Sequence, residues 1–275
     1  MNDIAYDCVR LLVMEDEVRS EWYMSHDTFA RMQALEPVDI AIMCYGCPSH
    51  PFDHSAALMG DYLSAGMLLI YPNYLGTWAS DGVCTLENAV ETVARVRRQL
   101  DHKEHREIRG NRTFQMALRK VFFFGGSFGG SVALVAAAKV PCAGVIAVSP
   151  VVDWRRHGKG EVKEEDLSQT YAVIRDGFRH FWRIDQGAYD ALRLGQLDLN
   201  PTDYIDQLCT PPSMLIHAAD DRQVSNHRTI ELAEALTAKD APVTGWFPET
   251  GGHLILYHMG QSAFSGPILD WCKAV

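Results

Sequence analysis

Residues 121–131 read VFFFGGSFGGS, and this stretch decides the fold of the chain. Its run of bulky apolar residues predicts a buried strand, and the small apolar residues at 132–138 predict a helix packed closely on a sheet. The turn between them fits the pattern G-x-S-x-G, which lifts the Ser127 hydroxyl above the end of a strand. The same sequence pattern also occurs in a glycine-rich turn that binds nothing or that binds a phosphate group. The turn alone leaves both interpretations open.

The size, composition and charge of the chain limit the classes of protein to which it can belong. Its 275 residues, of which 47% are hydrophobic and 22% charged, fit a single α/β domain over 1–275. The net charge of −10 argues against a nucleic-acid partner. No apolar run is long enough to cross a membrane. Seven scattered cysteines, and a start without the regions of a signal peptide, predict a cytoplasmic protein with reduced thiols.

Short apolar strands alternate with amphipathic helices along most of the chain. Because such strands pair in parallel, with helices on both faces, the sequence predicts an α/β fold around a mostly parallel central sheet. The predicted strands span 38–45, 66–72, 121–124, 143–149, 214–218 and 243–247, and the predicted helices 55–64, 86–100, 132–138, 227–238 and 261–273. A hairpin over 4–26 is expected at one edge of the sheet. The mixed-charge segment 101–112 is expected to be a solvated helix end or a surface insertion.

The alternation is interrupted between residues 151 and 204. No further buried strand is predicted there, and residues 167–184 carry aromatic and aliphatic side chains at helical spacing. An excursion of this length exceeds an ordinary connection between strands. The segment 151–204 is therefore predicted to be a small helical lid inserted over the strand ends.

A serine nucleophile needs a base, and the base needs a carboxylate that orients it. The strand at 214–218 is followed by Asp220 and Asp221, and the strand at 243–247 is followed by His253. Serine, then an acid, then histidine, each on a loop after a strand, is the chain order of one large class of hydrolases. His258 lies in an apolar stretch and is interpreted as structural. The composite pattern favours Ser127 as a nucleophile.

These residues carry a family resemblance. The chain resembles the α/β-hydrolase superfamily and, within it, the catalytic domain of the prolyl oligopeptidase family. The resemblance rests on GGSFGG at 125–130, NYLG at 73–76, HAADDRQV at 217–224 and GH at 252–253, with YGCP at 45–48 and PVVDW at 150–154 in support. It implies the α/β-hydrolase fold and a catalytic triad. The spacing of the family's pattern after His217 favours Asp221 over Asp220 as the triad acid.

Oxyanion stabilisation requires donors aimed at the developing charge. The geometry of the G-x-S-x-G turn, here called the elbow, offers the backbone N–H of Phe128. The resemblance implies that the Tyr45 hydroxyl is the second donor, because relatives use a tyrosine there. A backbone N–H of Gly46 or Cys47 is the alternative, with Tyr45 then an ordinary aromatic residue at a strand end.

The resemblance also implies substrate-binding residues. Trp154 matches a tryptophan that lines the pocket for a proline ring in relatives, and Trp78 is expected to add an apolar wall. Gln223 stands where relatives carry an arginine or asparagine that binds a substrate carbonyl. This departure weakens the case for dipeptidyl-type specificity.

The sequence therefore predicts a serine hydrolase with Ser127, Asp221 and His253 as its triad. A peptidase like those of the prolyl oligopeptidase family is slightly favoured, a carboxylesterase is the alternative, and a non-catalytic binding scaffold is the candidate from another class. The expected substrate is a small ester or a short peptide. No metal or cofactor is implied, because neither a zinc-binding set nor a nucleotide-binding glycine pattern is found. A homo-oligomer remains open.

Overall fold

A computed structural model describes residues 7–49, 59–102, 104–159, 164, 166–254 and 256–275. The strands of these residues are β1 (Val9–Glu15), β2 (Val18–Met24), β3 (Pro37–Cys44), β4 (Met67–Pro72), β5 (His105–Glu107), β6 (Arg112–Phe114), β7 (Ala117–Gly126), β8 (Gly144–Val148), β9 (Ser213–Ile216) and β10 (Val243–Trp246). The helices are α1 (His26–Gln33), α2 (Gly60–Ser64), α3 (Leu86–Gln99), α4 (Phe128–Lys139), α5 (Leu167–Gly177), α6 (Gln186–Arg193), α7 (Ile205–Leu208), α8 (Asn226–Thr237), α9 (Leu256–Met259) and α10 (Ser262–Ala274), with a 3-10 helix at Pro201–Tyr204. The first part of the predicted helix 55–64 lies outside the described residues.

All these strands belong to one sheet, in the order β10-β9-β8-β7-β3-β4-β2-β1-β5-β6. The six strands from β10 to β4 pair in parallel, and the remaining four join them by antiparallel pairing. The predicted mostly parallel sheet is confirmed. Because the strands of the parallel part run the same way, the loops at their carboxyl ends gather at one edge of the sheet.

The central strand β7 explains why helices cover the sheet. Alternate side chains of a strand face opposite sides, and on one side Phe122 packs on Trp271 of α10 while Phe124 packs on Tyr62 of α2. Helices α3 and α4 contact each other and the sheet. The phenylalanines are fully buried, as the apolar run predicts.

Two predictions about the outer strands were wrong. The hairpin β1-β2 is not at the edge, because β5 and β6 extend the sheet beyond β1. Strand β5 lies within the segment 101–112, which was expected to be a solvated helix end or surface insertion, and β6 begins at the last residue of that segment. In β5, His105 and Glu107 are buried while Arg106 between them is exposed. The Glu107 carboxylate tolerates burial because it accepts the backbone N–H groups of residues 109 and 110. The sequence did not show the apolar-polar alternation of a strand here, because the residues that face inward are themselves polar.

Residues 151–204, here called the cap segment, hold α5, α6 and the 3-10 helix. Isolated bridges connect it to the loop after β4, from Thr77 to Trp182 and from Cys84 to Ile184. Helix α5 ends at Gly177, so the observed helix is shorter than the helical run predicted over residues 167–184. Among the residues described, no helix is both long and apolar enough to span a lipid bilayer.

Candidate active site

Ser127 lies at the sharp turn between β7 and α4. Its φ of 56° and ψ of −124° are strained for a residue with a side chain. The turn requires glycine on both sides: a Cβ at Gly125 would lie 2.1 Å from Gly129 O, and a Cβ at Gly129 would lie 2.1 Å from Cys44 O. The Ser127 N–H donates to Val148 O at 2.9 Å. This is the strand-turn-helix context that the pattern G-x-S-x-G requires.

Asp221 and His253 follow β9 and β10 and pair directly. His253 Nδ1 lies 2.8 Å from Asp221 Oδ2. The Asp221 side chain is completely buried, and that of His253 is 10% exposed. An ionised carboxylate can only accept, so Nδ1 carries the proton and Nε2 keeps the lone pair that a general base needs.

The Asp221 carboxylate receives further N–H groups. Oδ1 accepts the backbone N–H of Gln223 at 2.8 Å and of Val224 at 3.1 Å, and Oδ2 also accepts His217 Nε2–H at 3.0 Å. Burial alone would raise the pKa of Asp221, but the hydrogen bonds from His217 and His253 outweigh it and hold the pKa well below its ordinary value. The carboxylate is therefore ionised at neutral pH.

His217 is a site residue that sequence reasoning used only to mark a spacing. It is fully buried. Its Nε2 also lies 3.1 Å from Val224 O, and its Nδ1 lies 2.8 Å from Thr229 Oγ1. Because Nε2 faces two acceptors it carries the proton, and the Thr229 hydroxyl donates to Nδ1. A histidine at the end of an otherwise apolar strand was the available signal.

Asp220, the alternative acid, has a different role. It is exposed, and its Oδ1 accepts the Gly252 N–H at 2.7 Å. On the other side of His253, the Leu254 N–H donates to Ser149 Oγ at 3.2 Å. Asp220 and Ser149 thus hold the two residues that flank His253, and of the two aspartates it is Asp221 that binds its ring.

A short chain of bonds relates His253 to Ser127. Ser149, which binds the residue after His253, directly follows Val148, whose carbonyl accepts the Ser127 N–H. Within the residues described, the Ser127 hydroxyl forms no hydrogen bond to His253. In enzymes without substrate this contact is often long and tightens only in the complex. The arrangement can support nucleophilic catalysis once that contact closes.

The Tyr45 hydroxyl does not fit the predicted oxyanion role. Tyr45 is completely buried, its hydroxyl accepts the Tyr74 N–H at 2.9 Å, and it lies 2.9 Å from Thr77 Oγ1. The Thr77 proton is already donated to Tyr74 O, so the Tyr45 proton goes to Thr77. Burial, partly offset by these bonds, also raises the pKa of Tyr45.

Backbone groups fit the oxyanion role better. Phe128 is the first residue of α4, and the first N–H groups of a helix lack intrahelical acceptors. Gly46 lies against the nucleophile, because a Cβ there would be 3.8 Å from Ser127 Cβ. Cys47 lines a cavity together with Ser127 and Phe128. The alternative donor from residues 46–47 is thus adjacent to Ser127, whereas the Tyr45 hydroxyl is engaged elsewhere.

A cavity of about 40 Å³ opens beside Ser127, and Trp154 is part of its wall. The other lining residues are Cys47, Phe128, Val151, His157, Leu167, Thr170, Tyr189, Leu192 and Val224. Trp154 is buried, its backbone N–H donates to Asn200 Oδ1 at 2.7 Å, and its ring meets Phe128 edge-on at 6.2 Å. Trp154 therefore lies where a substrate-binding role needs it.

Trp78 and Gln223 do not line this cavity. Trp78 stacks on Phe181 at 4.5 Å between ring centroids and donates its indole N–H to Ser49 O. The Gln223 side chain is exposed, and only its backbone reaches the site, through Asp221. Their predicted substrate-binding role is not supported by the lining of this cavity.

A buried ion pair, which sequence reasoning missed, lies behind the cavity wall. Arg228 Nη1 donates to both oxygens of the Glu164 carboxylate, at 2.9 Å to Oε1 and 3.0 Å to Oε2. The Ser225 N–H also donates to Glu164 Oε1, at 2.8 Å. The same Oε1 is also 3.6 Å from Nδ1 of His157, whose ring packs on Trp154. The pair joins the cap segment to the loop that carries Asp221. Long-range pairing of this kind leaves no local sequence signal.

No metal centre is found in this part of the chain: the described residues contain no group of three or more His, Cys, Asp or Glu side chains that could hold a metal ion.

Comparisons with solved structures identify the class of fold. An esterase from Pyrococcus furiosus matches at 14% identity over 99% of this chain and 89% of that one, with a TM-score of 0.63. An esterase from Exiguobacterium antarcticum matches at 15% identity over 96% and 100%, with a TM-score of 0.64. The α/β hydrolase GrgF from a Penicillium species matches at 15% identity over 97% and 98%, with a TM-score of 0.66. The chain has the α/β-hydrolase fold.

A match to a family model identifies the family to which this α/β-hydrolase chain belongs. The model of the prolyl oligopeptidase family matches residues 53–275, and the chain belongs to that family. It is a serine hydrolase, a peptidase or an esterase. A search of curated proteins finds no match.

Proposed function

We propose that this protein hydrolyses carboxylic esters of small, uncharged acyl groups, with Ser127, His253 and Asp221 as its triad. The observation that carries the proposal is the cavity beside Ser127. Its lining, as far as the chain is described, contains no aspartate, glutamate, lysine or arginine. A charged acyl group or a free amino terminus would lose its hydration there without a counter-charge. Several structurally similar proteins are esterases, which is consistent with this assignment.

The proposed mechanism assigns one step to each of these groups. Ser127 Oγ attacks the ester carbonyl carbon while His253 Nε2 takes the hydroxyl proton, and the ionised Asp221 stabilises the imidazolium through Nδ1–H. The carbonyl oxygen becomes an oxyanion, which accepts the N–H of Phe128 and a backbone N–H from residues 46–47. The imidazolium then gives its proton to the leaving alkoxide. Water, activated by the same histidine, hydrolyses the acyl-enzyme and restores Ser127.

A peptidase that cleaves after proline is the second candidate. Membership of the prolyl oligopeptidase family favours it. So does Trp154, whose apolar ring forms part of the cavity wall and would pack on a proline side chain. The chemistry at Ser127 is the same for an amide, with an amine as the leaving group.

Labelling and a substrate panel test these assignments. A fluorophosphonate should label the folded protein, Ser127→Ala should abolish labelling, and Ser168→Ala, at an exposed serine of α5, should not. Hydrolysis of p-nitrophenyl esters without turnover of prolyl p-nitroanilides would support the esterase, and the reverse would support the peptidase. Folded protein that neither reacts nor hydrolyses either series would leave the non-catalytic scaffold.

A further inference from the structure

A second, smaller cavity adjoins the one beside Ser127. Its volume is about 20 Å³, and its own wall comes from the start of α3 and from the cap segment at Ile184 and Ala188. Both cavities share four lining side chains, here called the partition: Cys47, Phe128, Tyr189 and Leu192. The partition therefore separates the nucleophile from further space in the direction of α3.

Three side chains of the partition have other roles or contacts in the structure. Phe128 belongs to the elbow, and Cys47 belongs to the loop that offers an oxyanion donor. Tyr189 donates its hydroxyl proton to Leu167 O at 2.8 Å, and its ring packs on Tyr171 at 4.9 Å. Leu192 is held by apolar packing from α6 and is 6% exposed.

We propose that Leu192 closes the acyl pocket and sets the longest acyl chain that the enzyme accepts, so that the substrates are esters of short-chain acids. The proposal rests on the proposed function. The space beside Ser127 is small, about 40 Å³, and the partition separates it from the adjoining cavity. We therefore expect the unaltered pocket to hold a short acyl chain such as butanoyl, and a hexanoyl chain to reach the partition.

Replacing Leu192 tests the proposal in both directions. Leu192→Ala removes three carbon atoms and joins the two cavities, whereas Leu192→Phe enlarges the partition. Each methylene that becomes buried should raise kcat/KM about fourfold, so Leu192→Ala should raise the ratio of hexanoate to butanoate hydrolysis about 15-fold. Leu192→Phe should instead raise the ratio of acetate to butanoate. Leu194→Ala is the matched control, because Leu194 follows α6 and is 47% exposed.

The measurement is kcat/KM for p-nitrophenyl esters from acetate to octanoate, with thermal unfolding to show that each variant is folded. An unchanged chain-length profile in folded Leu192→Ala and Leu192→Phe would overturn the proposal. If the protein hydrolyses no ester, the proposed function fails separately. Calorimetric binding of butanoate and hexanoate to Ser127→Ala, with and without Leu192→Ala, then decides the role of Leu192: a higher hexanoate preference supports it, and an equal preference overturns it.

Discussion

Replacing Asp221 with asparagine should inactivate the enzyme by fixing the wrong tautomer of His253. The Oδ1 position receives two backbone N–H groups, from Gln223 and Val224, so the amide oxygen of the asparagine must occupy it. The amide NH₂ then faces His253 Nδ1, which has to accept. The ring proton moves to Nε2, and Nε2 can no longer take the proton of Ser127. The loss expected from this tautomer error is about four orders of magnitude in kcat.

The neighbouring Asp220→Asn is the matched control for this prediction. Asp220 is exposed, and its Oδ1 accepts the Gly252 N–H. An amide oxygen can accept that bond equally well, so the activity should fall by less than about threefold. The assay is kcat/KM for p-nitrophenyl butanoate, together with the rate of fluorophosphonate labelling of each folded variant. Comparable losses in the two variants, or an Asp221→Asn enzyme with more than a tenth of wild-type activity, would refute the tautomer argument.

Further predictions concern Asp221 and the groups that surround it. Because the folded-state pKa of Asp221 is depressed, its contribution to stability is complete above its unfolded pKa of about 4 and is lost as the pH falls through the folded value. Urea unfolding should therefore give a stability difference between wild type and Asp221→Asn that is constant from pH 7 to 5 and shrinks towards pH 3. Thr229→Val leaves Nδ1 of buried His217 without its donor and should lower the unfolding free energy by about 1–2 kcal/mol, whereas Thr229→Ser should restore it. Glu164→Gln leaves the Arg228 guanidinium, 9% exposed, without a counter-charge, and urea unfolding should show a loss of about 3 kcal/mol.

The central part of the fold was predictable because most strands of the parallel sheet are buried apolar runs. Asp221 and His253 could be placed together for the same reason, since loops after neighbouring parallel strands meet at one edge. Loop boundaries read from the sequence did not separate Asp220 from Asp221, and it was the spacing of the family's pattern that favoured Asp221. The Gly252 N–H that binds Asp220 and the His253 ring that binds Asp221 each lie 32 positions further along the chain.

The oxyanion donor and the pocket were less accessible to sequence reasoning. A tyrosine at a strand end fits both an oxyanion donor and a buried structural role, and the difference lies in whether Thr77 and Tyr74 capture its hydroxyl. The pocket wall comes largely from the cap segment, where Tyr189 and Leu192 occur in an amphipathic helix like any other. Which face of such a helix meets the nucleophile depends on the packing of the whole segment.

The cap segment is connected to the loop that carries Asp221 through buried hydrogen bonds and an ion pair. Glu164 of the cap segment accepts the Ser225 N–H and binds Arg228 of α8. Ser225 directly follows Val224, whose N–H binds the Asp221 carboxylate. A cap that shifts must therefore either break a buried charged pair, at a cost of about 3–5 kcal/mol, or carry the Asp221 loop with it. Glu164, which lies outside the cavity lining, thereby helps to hold the loop whose carboxylate binds His253.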